Sequence, residues 1–166
     1  QYTGGLVNVD KGLIGRDIFV AEDIYRDELE RIFPRSWLFV AHESQIPKNG
    51  DYILGRMAEE SVIVNRDRNG KLHVFLNNCR HRGMRVCRYD KGNSRKFMCP
   101  FHAWVFSDQG ELIGVPKMEN GYHNELDKSE WGLIEARVYS YRGFIFACWE
   151  EETPAFEDYL GDLRFY

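Results

Sequence analysis

Phe75-Leu76-Asn77-Asn78-Cys79-Arg80-His81-Arg82-Gly83-Met84 and, further along, Cys99-Pro100-Phe101-His102-Ala103-Trp104 decide how this chain is read. Each stretch offers one thiol and one imidazole at a short fixed spacing, Cys-x-His in the first and Cys-x-x-His in the second. Two loops of mixed donors suit a two-iron cluster in which one iron takes both cysteines and the other both histidines. Four thiolates would leave the oxidised cluster with a net charge of about −2, and exchanging two of them for neutral imidazoles brings it near zero. An electron is then added more readily, and the potential rises from about −400 mV to roughly −150 to +300 mV. Such a centre is a mid-potential relay for single electrons, with no open coordination position for oxygen or substrate.

A structural zinc ion also accepts two Cys and two His. Its finger patterns usually pair like with like, Cys-x-x-Cys and then His-x-x-x-His, whereas each loop here holds one of each. A tetrahedral zinc tolerates the mixed order, so zinc stands as the alternative. Four unrelated residues, with the cysteines as small buried hydrophobes, would have to coincide at both spacings. Of the remaining cysteines, Cys148 lies in the apolar run 143–149 and reads as core, while Cys87, close to the first loop, reads as packing. Two ligand cysteines plus two unpaired ones suit a reducing compartment, so the expected location is cytoplasmic.

The 166 residues suit one domain, and 43% hydrophobic residues suffice for a core. A net charge of −4 argues against a dedicated nucleic-acid binder. No apolar run reaches the roughly 18 residues needed to span a bilayer, and no charged-then-apolar leader opens the chain. Within this balance, Arg80, Arg82, Arg85, Arg88, Lys91, Arg95 and Lys96 are opposed over their stretch only by Asp90. Such a patch could guide an acidic electron donor toward the two loops, since surface charge raises encounter rates. The alternative is a solvated surface with some arginines paired to neighbouring subunits.

Residues 1–20 are glycine-rich and read as irregular. Glu22 to Phe33 reads as a helix: Tyr25, Leu29, Ile32 and Phe33 make one apolar stripe, Glu22 and Asp23 suit the N-terminal dipole and Arg31 the other end, and Pro34 stops it. Short strands follow at 37–41, 51–57, 61–66 and 71–77, the last two joined through Asp67-Arg68-Asn69-Gly70, a hairpin signal. A second hairpin places Phe97-Met98 before the second loop and 103–106 after it, turns through Ser107-Asp108-Gln109-Gly110 and returns over 111–115. Strands at 132–141 and 142–149 complete an antiparallel β-sandwich whose hairpins carry the two ligand loops. Residues 117–131 read as a polar surface connection. Phe156, Tyr159, Leu160 and Leu163 fall at helical spacing up to the last residue, Tyr166, which leads to the expectation that the polypeptide continues; a final helix docking on the same domain is the alternative.

Beyond the four ligands, the chain resembles the large (alpha) subunit of bacterial aromatic ring-hydroxylating dioxygenases over nearly its whole length. The resemblance runs through Arg35-Ser36-Trp37-Leu38, His42-Glu43-Ser44, Gly50-Asp51-Tyr52, residues 75–84, Gly92-Asn93, residues 99–104, Gly110-Glu111-Leu112, Val115-Pro116 and Tyr159-Leu160-Gly161-Asp162. It implies a mostly β, Rieske-type sandwich at 37–150, an N-terminal extension with a helix at 1–36, and the start of a linker to a catalytic domain at 151–166. It implies a [2Fe-2S] cluster with Cys79 and Cys99 on one iron and His81 and His102 on the other, His102 facing the catalytic iron of a neighbouring subunit through a carboxylate bridge. Arg82, Gly83 and Trp104 are expected beside the cluster, with Trp104 equally readable as plain core. Backbone N–H groups near Gly83 and Trp104 are expected to reach cluster sulfurs, and reduction to raise the proton affinity of His81 and His102.

The same resemblance implies a mononuclear non-haem iron held by two His and a carboxylate in the remainder of the protein, electron supply from a ferredoxin or reductase, and a trimer of large subunits with or without small subunits. The overall reaction would be cis-dihydroxylation of an aromatic ring. No matching His pair occurs here: His42, His73 and His123 are scattered and read as ordinary structural or surface residues, so this chain alone should hydroxylate nothing. Two departures stand in the second loop, Phe101 where the family has Tyr and Ala103 where it has Gly. High-potential respiratory Rieske proteins carry a disulfide whose positions are Met84 and Phe101 here, so the low end of the potential range is expected. A free-standing Rieske electron carrier is the competing function.

Overall fold

The computed structural model describes residues 6–165. Its centre is a seven-stranded antiparallel sheet in the order β3-β12-β11-β6-β5-β4-β7. These strands are β3 (Leu38–His42), β4 (Asp51–Met57), β5 (Glu60–Arg66), β6 (Leu72–Leu76), β7 (Lys91–Asn93), β11 (Glu135–Tyr141) and β12 (Phe144–Cys148). A three-stranded antiparallel sheet of β8 (Lys96–Met98), β9 (Val105–Ser107) and β10 (Leu112–Gly114) packs against it.

β5 explains the layering. Val62, Ile63 and Val64 are all fully buried, because both faces of the strand are covered. Ile63 and its cross-strand partner Phe75 point toward the small sheet, where Phe97, Phe106, Leu112 and Trp104 complete one core. Val62 and Val64 point the other way, into a second core with Ala41, Ile46, Met57, Val74, Ile145 and Ala147, all from the large sheet and its connections. That sheet therefore curls on itself. At Gly55 a side chain would stand 3.0 Å from the Val40 carbonyl, so β4 and β3 approach too closely there for a Cβ.

The β5–β6 hairpin turns where the sequence places it. Gly70 takes φ +89°, and Asp67 Oδ1 accepts the N–H of Asn69 (2.9 Å) and of Lys71 (2.8 Å). The strands expected at 37–41, 51–57, 61–66, 71–77, 132–141 and 142–149 are all found, shifted by at most a few residues at their ends. The predicted helix is α2 (Glu22–Arg31); it stops earlier than Phe33, which opens a 3-10 turn, Phe33–Arg35, around Pro34. Residues 6–20 carry more order than expected, a two-residue hairpin of β1 (Val7–Asn8) and β2 (Leu13–Ile14) followed by α1 (Asp17–Val20). Residues 1–5 and Tyr166 lie outside the described residues.

Residues 117–131 are not a plain surface connection. They form α3 (Met118–Tyr122), flanked by Lys117 and His123 in the left-handed conformation, and a 3-10 turn, Lys128–Trp131. Tyr122, Leu126 and Trp131 pack on the core beside the second ligand loop. At the C-terminal end, α4 (Phe156–Leu160) docks on the domain: Phe156 is buried against Trp37, Tyr139 and Phe146, while Tyr159 and Leu163 are exposed. Among the described residues, no helix is long and apolar enough to cross a membrane.

Candidate metal centre

The two ligand loops sit side by side, and their backbones follow one plan despite their different Cys-to-His spacings. In the first, the Cys79 N–H donates to the Met84 carbonyl (2.8 Å) and the Gly83 N–H to the Cys79 carbonyl (2.8 Å). In the second, the Cys99 N–H donates to the Trp104 carbonyl (2.8 Å) and the Ala103 N–H to the Cys99 carbonyl (3.0 Å). The residue that reverses each loop takes a positive φ, +68° at Gly83 and +55° at Ala103. Glycine adopts this region freely; alanine does so against the contact of its Cβ with the backbone.

The four side chains meet as two pairs. Cys79 and Cys99 are buried free thiols within hydrogen-bonding reach of one another. The rings of His81 and His102 lie 4.7 Å apart between centroids, inclined at 72°. Trp104, 2% exposed, stacks on His81 (4.9 Å, 10°) and is backed edge-on by Trp131 and Tyr122. Arg80 reaches over Trp131 at 6.0 Å. Trp131 and Tyr122 escaped the sequence reading; an isolated Trp in an otherwise polar connection was the available signal.

Burial pushes the Cys79 thiol up to about 11, with the neighbouring Cys99 adding to the rise and backbone N–H groups of His81 and Arg82 at its sulfur opposing it. Burial first, and then unfavourable charge interactions with the neighbouring His102 and Arg82, push the His81 imidazole down, in the direction of the neutral form that a metal ligand requires. His81 Nδ1 is buried with no hydrogen-bond partner. A buried imidazole nitrogen left unpaired in this way is costly unless another group takes it up. Two paired thiols, two paired imidazoles and this orphaned nitrogen fit a two-iron cluster that takes thiolates on one side and imidazoles on the other. Among the described residues, no three His, Cys, Asp or Glu side chains are grouped to hold a single metal ion.

A profile of the Rieske [2Fe-2S] domain matches residues 36–141. The chain belongs to the Rieske [2Fe-2S] domain family. Its cofactor is accordingly a [2Fe-2S] cluster. The biphenyl 2,3-dioxygenase alpha subunit of Rhodococcus jostii is 47% identical over 161 residues, 97% of this chain and 35% of that protein. The alpha subunit of the N,N-dimethyl phenylurea N-demethylase of a Sphingobium species is 44% identical over 156 residues, 93% of this chain and 34% of that protein. The crystal structure of naphthalene 1,2-dioxygenase from a Rhodococcus species, bound to indole, superposes with a TM-score of 0.87 at 45% identity, over 90% of this chain and 34% of that one. The Rieske chain thus spans about a third of the length of these relatives.

Around the loops the Rieske domain presents a mixed surface. Arg80, Arg82, Arg85, Arg88, Lys91, Arg95 and Lys96 are all exposed. Among them stand Met84, Met98 and Phe101, 36%, 61% and 58% exposed. Phe101 lies against His102 at 3.9 Å between ring centroids. The remaining histidines are remote in role. His42 caps the 3-10 turn Glu43–Gln45. His73 is buried between Glu135 (2.6 Å from Nδ1) and Asp67 (3.5 Å from Nε2). His123 is an exposed left-handed residue ending α3. Cys148 is core, as expected, and burial pushes the Cys87 thiol up to about 12.

Proposed function

We propose that this Rieske domain relays single electrons to an oxygen-activating mononuclear iron outside the chain, as part of the large subunit of an aromatic ring-hydroxylating dioxygenase. Cys79 and Cys99 would hold one cluster iron and His81 and His102 the other. The observation that carries this assignment is the pairing of the four side chains, with His81 Nδ1 buried and unpaired among them. When bound, the cluster accepts and returns one electron at a time at intermediate potential. The protein's part is to position and tune. Trp104 holds the His81 ring in its plane from one side. The N–H groups of His81 and Arg82 point at the Cys79 sulfur, where they favour extra negative charge.

Several further readings rest on likeness. Electrons would come from a ferredoxin or a reductase, and the exposed cations around the loops, with Met84, Met98 and Phe101 among them, suit an acidic partner. The full protein would form a trimer of large subunits, with or without small subunits, and act in the cytoplasm, where unpaired buried thiols persist. Residues 151–166 would lead toward the catalytic domain. cis-Dihydroxylation of an aromatic ring is the proposed reaction, and the names of the biphenyl and naphthalene enzymes favour it. The comparisons give no support to a free-standing carrier.

The test is spectroscopic. Protein purified without oxygen should be red-brown, contain two irons and two sulfides per chain, and on reduction give the electron paramagnetic resonance signal of a one-electron-reduced two-iron cluster. Cys79→Ser and His102→Ala should each abolish that signal. A colourless protein containing zinc would refute the proposal.

A further inference from the structure

The two ligand loops are alike in backbone but unlike in how their ends are closed. The second loop stands on a two-stranded ladder: β8 and β9 pair up to Met98 and Val105, the residues flanking Cys99 and Trp104. The first loop has no such base. β6 ends at Leu76, and after the loop the chain runs on without forming a partner strand; a single bridge, Asn78 to Arg85, crosses there, closed by the Cys79 N–H to the Met84 carbonyl (2.8 Å) and a long bond from the Val86 N–H to the Asn77 carbonyl (3.4 Å).

A side chain stands where the ladder is missing. Asn77 is fully buried, two residues before Cys79. Its Oδ1 accepts the N–H of Val86 (3.1 Å) and of Cys87 (2.8 Å). Its Nδ2 donates to the Cys87 carbonyl (2.9 Å) and to Ser61 Oγ (3.3 Å) on β5. Its backbone N–H donates to the Ser61 carbonyl (2.9 Å). An amide side chain has two donors and two acceptor lone pairs, and all four are used here. The orientation is fixed, because reversal would set an NH2 group against two N–H groups. The amide thus stands in for a strand backbone, tying both ends of the first loop to each other and to the sheet.

We infer that Asn77 is a positioning residue for the cluster, setting Cys79 and His81 against Cys99 and His102. The inference rests on the proposed ligand assignment. Removal of the amide strands the Cys87 N–H and carbonyl and leaves the Val86 N–H with only a long bond to the Asn77 main-chain carbonyl (3.4 Å), and buried polar groups left unpaired in a dry interior drive local rearrangement. The loop would then sample several positions while the second loop, on its ladder, stays fixed.

Asn77→Ala and the isosteric Asn77→Asp, which loses both donors, should be compared with Asn65→Ala in the iron-loaded protein. Asn65 is an equally buried asparagine on β5, bound to the Asp108 carbonyl at the end of the domain away from the loops (2.9 Å). Both Asn77 variants should broaden or split the resonance signal of the reduced cluster and lower iron retention. Amide exchange at Val86 and Cys87 should rise about tenfold or more, as expected of a segment that opens locally. Asn65→Ala should weaken the fold and leave the signal unchanged. If Asn77→Ala fails to fold, Asn77→Asp carries the same comparison. A wild-type signal and wild-type exchange in the Asn77 variants, or the same spectral change in Asn65→Ala, would overturn the inference. A wild-type protein without any two-iron signal would overturn the ligand assignment instead, and the exchange measurement would still read the clamp.

Discussion

Gly110→Ala should weaken the fold far more than Gly83→Ala, although both glycines occupy the left-handed region. At Gly110 (φ +84°) a Cβ would stand 2.5 Å from Phe75 Cε1 and 2.9 Å from Cζ. Neither side can yield. Phe75 is fully buried and stacked on His73 at 5.3 Å, and the Gly110 backbone is held by Ser107 (3.1 Å) and Leu133 (2.7 Å). Left-handed strain costs an alanine about 1–2 kcal/mol, of which about 0.4–1 kcal/mol is offset by the stiffer unfolded chain. Overpacking adds about 1–3 kcal/mol, so the loss at Gly110 should be about 2–4 kcal/mol. At Gly83 (φ +68°) no protein atom lies within 4 Å of the added methyl, which in the cluster-free protein leaves the strain alone, about 1 kcal/mol or less. Urea unfolding with an unchanged m-value measures both. In a domain of this size the melting temperature should fall by roughly 5–15 °C for Gly110→Ala and by a few degrees at most for Gly83→Ala. Equal losses at the two sites would refute the reasoning, since they would mean that the Phe75 ring moves aside without penalty.

Ala103→Gly should run the other way, relieving the strain at φ +55° and raising stability by about 0.5–1 kcal/mol; a loss in urea unfolding would show that the methyl contributes packing instead. Arg85→Gln with Arg88→Gln should slow cluster reduction by an acidic donor protein several-fold at low ionic strength, with the difference fading toward about 1 M salt, where the screening length is about 3 Å. A rate constant that ignores salt in both proteins would dispose of steering. Asp67 is held below the usual carboxylate range: burial pulls its pKa up, but hydrogen bonds from Gln109 and from the N–H groups of Lys71 and Asn69 outweigh it. The unfolded chain therefore binds the extra proton, and the contribution of Asp67 is complete above its unfolded pKa and lost as pH falls below about 4. Asp67→Asn should flatten the acid limb of the stability curve, and an unchanged slope in urea titrations across that range would contradict this.

What could be read from the sequence follows a physical line. β5 and β6 were legible because apolar residues and an Asn-Gly turn signal are local properties, and the ligand loops because metal chemistry demands particular residues at short spacings. β7 was not. Lys91-Gly92-Asn93 has no apolar alternation, is exposed, and is a strand only because the backbone of β4 offers it partners. α3, within Met118–Tyr122, lacks an apolar stripe and is bounded by two left-handed residues that no composition rule announces. His73 read as ordinary because the acids that enclose it come from the β5–β6 turn and from β11, far away in sequence. The proposed ligand positions could be named without coordinates, whereas the packing of Tyr122 and Trp131 against Trp104 required the tertiary fold.

The exposed cations beside the ligand loops make the molecule strongly polar in its charge. Taking the seven cations and one anion of residues 80–96 from totals of 22 and 26 leaves 15 cations against 25 anions, a net of −10 for everything else. Positive charge is thus concentrated in the segment that carries the two loops, while the remainder of the sequence is net negative. On an ion-exchange column the average governs, and a sequence isoelectric point near 5.8 makes it an anionic protein at neutral pH. Near the loops the local excess governs: a negatively charged surface brought to this face meets attraction, while a second copy presenting the same face meets like charge.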